Sequence, residues 1–243
     1  MRAVRFGTVF LCLCACLYSG CGLDTYNYVD PPTSGGHTIH YTNEDNTQKY
    51  FCFKTTEPDS ESEFTFKGTE VYYLIYNNVA AMQSMESSID SMAASSAAER
   101  LISFGYRPLQ LSGEATPSPL ISAAGQSQYV YIRLTDYNTD NSPDYQSAVC
   151  VGASEMNKFV ASRLLGFPRR YAGVRYGFNF GKDGDNPVPV SGDSDTYFSS
   201  SATTEGTYYI DMYAVGVGLD TTSNSKSYSE VLRLGSIVVR KSD

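Results

Sequence analysis

The stretch EFTFKGTEVYYLIYN, Glu63 to Asn77, sets Val71, Tyr73 and Ile75 on one face of an extended chain and Tyr72, Leu74 and Tyr76 on the other. Side chains alternate across a strand with a period of two. Apolar residues on both faces therefore predict a strand covered on both sides. Further strands are expected at His37–Tyr41, at Tyr50–Thr55 (YFCFKT), at Gln128–Asp136 (QYVYIRLTD), at Ser147–Gly152 (SAVCVG) and at Tyr171–Phe180. The C-terminal pair is the clearest: Thr207–Gly218 and Tyr228–Arg240, separated by DTTSNSKS.

Between Val79 and Phe104 the period changes. Met82, Met85, Ile89 and Met92 recur at steps of three and four, which stacks them on one stripe of a helix. One helix or a broken pair is expected, with a seam at residues 93–98 (AASSAA), a C-terminal cap at Gly105 and a stop at Pro108. The stripe is read as packing on the sheet rather than as a partner surface. A second short helix is expected over Glu155–Leu165, and a polar loop over residues 181–204.

Twenty Tyr, no Trp and 20 Gly among 243 residues suit an extracytoplasmic all-β module, since aromatic residues favour strands and Gly serves turns. The net charge of −8 argues against binding to nucleic acid or anionic head groups, whose phosphates an acidic surface repels. At the N-terminus, Arg2 and Arg5 precede an apolar run from Phe6 to Leu17, then Tyr18-Ser19-Gly20-Cys21. The run is shorter than the about 20 residues a membrane-spanning helix needs. A basic, apolar, then small-residue order is that of a cleaved secretory leader.

Those leader residues resemble the signal peptide and lipobox of bacterial lipoproteins, with Leu17 four residues before the cysteine and Tyr18 where the usual box has Leu. The resemblance implies a signal peptide over residues 1–20, cleavage before Cys21 and acylation of its sulfur. Looser boxes of this kind resemble those of spirochaete lipoproteins. FKGTEVYYLIYNN and the C-terminal YSEVLRLGSIVV are likewise similar to Treponema-type lipoproteins. Cleavage would leave 223 residues with 16 basic against 26 acidic side chains, so the acyl chains would have to supply the membrane affinity. Residues 21–36, with Pro31-Pro32 and Gly35-Gly36, read as a flexible tether, and residues 37–243 as one domain.

A second resemblance concerns the fold. GTYYIDMYAV, Gly206 to Val215, resembles the penultimate strand of fibronectin type III-like sandwiches, where a tyrosine pins a corner and residues two, four and six later point inward. Tyr208, Ile210, Met212 and Ala214 hold those places, and Gly68–Tyr73 is similar to that family's third strand. The fold expected is mainly β, an antiparallel immunoglobulin- or fibronectin III-like β-sandwich with a helical insertion over about residues 79–104.

Candidate chemistry is sparse. Three of the six cysteines (Cys12, Cys14, Cys16) leave with the leader and Cys21 takes the lipid, so Cys52 and Cys150 remain. They form either a disulfide, as an oxidising compartment invites, or two separate buried thiols. His37 and His40, three apart in a strand, face opposite sides and do not jointly hold a metal. Gly152-Ala153-Ser154-Glu155-Met156 lacks the second glycine of a nucleophile elbow. Asp136, Asn138, Asp140 and Asp144 occupy positions 1, 3, 5 and 9 of an EF-hand-like calcium loop with Asn141 at the sixth, but Ser147 stands where the bidentate Glu belongs. A plain Asx-rich turn is the expected reading, and the loop with Asp183, Asp185, Asp193 and Asp195 is weaker still.

The function expected is a lipid-anchored protein of the bacterial cell envelope, at the outer membrane, surface or periplasmic face. Its non-catalytic β-sandwich would bind or adhere to a protein or glycan, with no cofactor and no nucleic acid. Tyr-rich loops would carry recognition. The alternatives are a structural envelope component and a carboxylate-based, calcium-dependent envelope hydrolase.

Overall fold

The computed structural model describes residues 29–56, 64–92, 97–112, 119–123, 127–137, 145–152, 159–173, 176–182, 186–201, 204–220 and 223–241. Its strands are β1 (Thr33–Ser34), β2 (Phe51–Lys54), β3 (Phe64–Tyr76), β4 (Arg107–Pro108), β5 (Gln110–Leu111), β6 (Ile121–Ser122), β7 (Tyr129–Arg133), β8 (Ala148–Gly152), β9 (Arg163–Gly166), β10 (Pro168–Arg169), β11 (Thr196–Tyr197), β12 (Thr207–Asp220) and β13 (Ser225–Arg240). Helices α1 (Val79–Asp90) and α2 (Ala97–Ser103) complete the described elements longer than one turn.

The protein is mainly β, built from antiparallel sheets packed on one another. One sheet has the order β1-β2-β7-β8-β9. A six-stranded sheet runs β11-β3-β12-β13, with β4 and β6 also pairing on β3, and β10 and β5 form a separate two-stranded pair. Phe51, Phe53, Val130, Ile132, Val149 and Val151 of the first sheet meet Val71, Tyr73, Ile75, Ile210, Met212 and Ala214 of the second in the main core. The inward set expected of β12, Tyr208, Ile210, Met212 and Ala214, lies in this core.

Strand β3 is covered on both sides, as its alternation predicts. Tyr72, Leu74 and Tyr76 face away from the main core and form a second apolar layer with Met82 and Ile89 of α1 and Leu101 of α2. Asn78 caps α1, its side chain accepting from Ala81 N at 3.0 Å. The C-terminus of α2 closes with Tyr106 N donating to Leu101 O and Gly105 N to Ile102 O, a Schellman pattern in which Gly105 takes the left-handed position. Gly235 is demanded by contact rather than by a helix end. Its φ is +107°, and a Cβ there would lie 2.0 Å from Ile39 O.

Several segments differ from the sequence expectation. His37–Tyr41 forms no ladder and contributes a single parallel bridge, Ile39 to Gly235. Residues 163–166, expected at the end of a helix, form edge strand β9 against β8. Among the described residues of the Tyr171–Phe180 segment no strand is formed. A turn closes there, with Tyr176 N donating to Gly173 O and Arg170 N to Tyr176 O. The tether expected to reach Gly36 gives way at Val29, which is buried, and Thr33 and Ser34 pair with Lys54 and Phe53. Residues 21–28 lie outside the described residues.

Candidate functional site

The strongest concentration of perturbed acid–base groups lies between the helices and the six-stranded sheet. On β12 the residues Tyr209, Asp211, Tyr213 and Val215 alternate away from the main core, so Asp211 enters the layer that α1 and α2 cover. Its carboxyl is fully buried. Tyr106, just beyond the α2 cap, donates its hydroxyl to Asp211 Oδ2 at 2.7 Å, and Tyr76 donates to the Tyr106 oxygen at 3.1 Å. The Tyr106 ring meets Tyr213 edge-on at 5.4 Å.

One cation serves three carboxylates here. Arg233 of β13 contacts Glu86 of α1, stands 3.8 Å from Asp211 Oδ1 and 4.0 Å from Asp90. The 3.8 Å separation is an ionic contact too long for a hydrogen bond. Burial penalises the ionised form of Asp211, and Glu86 adds to that penalty. The Tyr106 hydroxyl and Arg233 only partly offset it, so the carboxyl is pushed up to about 7. Burial also drives the Tyr106 hydroxyl well above its ordinary value. The arrangement is a carboxyl that titrates near neutrality at the inner end of a Tyr76–Tyr106 hydrogen-bond chain, buried beneath two helices.

A second buried cluster lies on the outer edge of β3. Arg170, fully buried, donates Nε to Asp195 Oδ2 at 3.2 Å and NH2 to Asp195 Oδ1 at 2.7 Å, and NH2 also reaches Asp193 at 2.7 Å. Tyr73 donates to Asp195 Oδ2 at 2.6 Å, and its oxygen accepts from Tyr171 N at 2.6 Å. Burial acts to raise the Asp195 carboxyl, but the bidentate Arg170 and the Tyr73 hydroxyl outweigh it and hold the group below the usual carboxylate value. The network fastens the 170–173 turn and the 190–197 loop to the central strand. Asp193 and Asp195, weighed as calcium ligands, are thus engaged by a guanidinium. Asp183 and Asp185 lie outside the described residues.

The other sequence candidates are dispersed. Asp136 accepts from Ser147 N at 2.6 Å and from Asn179 Nδ2 at 2.8 Å, clamping its own loop; Asn138, Asp140 and Asp144 lie outside the described residues. Among the described residues, no group of three or more His, Cys, Asp and Glu side chains is placed to hold a metal. His37 stacks on Tyr50 at 4.0 Å, while His40 bonds Thr42 at 2.8 Å. Cys52 and Cys150 are both buried thiols. They sit opposite Tyr131 from its two sides, on β2 and β8 flanking β7. Two strand spacings separate them by about 10 Å, beyond the about 7 Å a disulfide tolerates. Of the two readings, separate thiols packed with Tyr131 and Phe159 is the one found.

Sequence reasoning missed both buried clusters. For Asp211 a signal existed: a lone carboxylate in the apolar run TYYIDMYAVGVG, on a strand whose two faces are both apolar. For Arg170 none did, because its partners lie 23 and 25 residues away in a loop without periodicity.

Comparison of the chain with protein-family models, with curated proteins and with solved structures finds no match.

Proposed function

We propose that this chain is a lipid-anchored protein of the bacterial cell envelope whose immunoglobulin-like sandwich binds a partner without catalysing a reaction. The observation that carries the reading is the spacing at the N-terminus. A basic, apolar leader ends at Cys21, and Val29, eight residues later, is buried in the domain. No helix among the described residues is long and apolar enough to cross a membrane, and acyl chains on Cys21 would supply membrane affinity. Exposed aromatic residues such as Tyr171, Tyr197 and Phe198 supply large contacts at small entropy cost, which suits recognition of a protein or glycan.

A carboxylate-based hydrolase is the second reading, and Asp211 is what favours it. A carboxyl poised near neutrality is what a general acid requires. Its complete burial under α1 and α2 weighs against contact with a substrate, and the binding reading is preferred for that reason.

The test is acyl labelling in a bacterial host that processes lipoproteins. The wild-type chain should incorporate labelled fatty acid and partition into detergent, and Cys21→Ala should do neither. A Cys21→Ala variant that keeps the label overturns the anchor. Surface proteolysis of intact cells then separates an outward-facing binder from a periplasmic component.

A further inference from the structure

Where the N-terminal segment joins the sandwich has a directional consequence. Val29, 1 % exposed, packs on β12 at Gly216, where a Cβ would lie 3.0 Å from Val29 Cγ1 and 2.7 Å from Asp30 O. The hydroxyl of Ser229, on the neighbouring β13, closes the same spot by accepting from Gly216 N at 2.8 Å. Gly216 and Ser229 both stand four residues from the ends of their strands, Asp220 and Ser225. Val29, the first described residue, therefore lies nearer the end where β12 and β13 connect. From there the chain runs along β13 in the same direction, through Thr33 and Ser34 on β2 to the parallel bridge between Ile39 and Gly235.

The opposite end is defined by the other termini of the same strands. Thr207 pairs with Arg240, and Tyr209 with Tyr76. Asn77 exchanges hydrogen bonds with Ser199, Asn78 donates to Ser201 O at 2.9 Å, and Arg240 pairs with Glu44 at 2.8 Å. Exposed Tyr197 and Phe198 adjoin this end. Strand β13 has 16 residues, which at full extension places its two ends about 50 Å apart. The eight residues from Cys21 to Tyr28 span at most about 28 Å. A lipid on Cys21 would thus keep the Val29 end within about 28 Å of the bilayer, a reach shorter than the about 50 Å of β13.

We infer that the end of the domain bearing Asp220 and Ser225 faces the membrane, and that the end formed by Glu44, Asn77, Phe198 and Ser201 faces away from it. The inference rests on the lipid-anchor reading for its relevance, but its test does not depend on the cell acylating Cys21. Because the sequence has no Trp, one introduced Trp is a unique donor. Residues 21–243 carrying Ser223→Trp or Ser201→Trp, both on exposed turns, are coupled through Cys21 to a maleimide lipid in vesicles containing a dansyl lipid. Cys52 and Cys150 are buried and do not compete for the maleimide.

Energy transfer from Ser223→Trp should exceed that from Ser201→Trp at least twofold, and Lys226→Trp should exceed Glu205→Trp in the same sense. Equal transfer at the two ends, none at either, or the reverse order overturns the orientation. Loss of acyl label in the cell experiment overturns the anchor and leaves these transfer values unchanged, so the two failures are distinguishable.

Discussion

Tyr106 and Asp211 lie 105 residues apart and share a 2.7 Å hydrogen bond, which ties the end of the helical insertion to the middle of the six-stranded sheet. Burial raises the proton affinity of both groups, so the helical layer rests on a contact whose strength depends on pH.

The sign of that dependence follows from the raised carboxyl. Asp211 binds its proton more tightly when folded, at about 7 against an ordinary 3.8. Its stabilising contribution is complete below about pH 4 and is lost as pH rises towards 7. Asp211→Asn should therefore gain stability relative to wild type between pH 5 and pH 8, by a few kcal/mol, the scale set by holding a carboxyl at about 7 instead of 3.8. Urea unfolding of both proteins across that range measures it; a pH-independent difference would remove Asp211 as the source.

Arg170 is expected to be the most sensitive single charge. Arg170→Met leaves Asp195 buried without its cation and should destabilise by about 3–5 kcal/mol. The double variant with Asp195→Asn should recover part of that loss, since no unpaired charge then remains. Denaturant midpoints of the two variants decide it.

Cys52 and Cys150 should both react only in the unfolded chain. Burial pushes the Cys150 thiol up to about 11, with Arg133 opposing, and Cys52 is equally enclosed. Mass spectrometry after alkylation should find neither residue modified under native conditions, and both modified in denaturant without prior reduction. A requirement for reductant would reveal a bridge.

Gly235→Ala should cost about 2–4 kcal/mol, because the new methyl meets Ile39 O at 2.0 Å and the positive φ is strained for alanine. Gly105→Ala has the φ penalty but nothing within 4 Å, and should lose only about 1 kcal/mol. Comparing the two separates contact from conformation.

The layered β-architecture was legible because its signals are local. Period-two alternation in β3 and β12, a step of three and four in α1 and a glycine after α2 each depend on neighbours in sequence. The failures arise where a long-range partner decides. Residues 171–180 have strand-like composition, yet the buried Arg170 side chain and the 173–176 turn draw that segment into a loop. His37–Tyr41 is extended enough to reach Gly235 but pairs there once. The candidate site was half legible: the sequence shows a carboxylate on a doubly covered strand, but not that Tyr106 and Arg233 meet it.

The segment from Val29 to Ile39 also sets how the domain bears force. It is hydrogen-bonded to β2 at one point and to β13, through Ser236 N and Ile39 O, at another, running along both strands rather than across them. A pull on the chain ahead of Val29 acts along those strands, so the two attachments share the strain in shear instead of opening one after the other like a zip. Such a pull would thus load the strap that joins the two sheets before the hydrophobic layers beneath it.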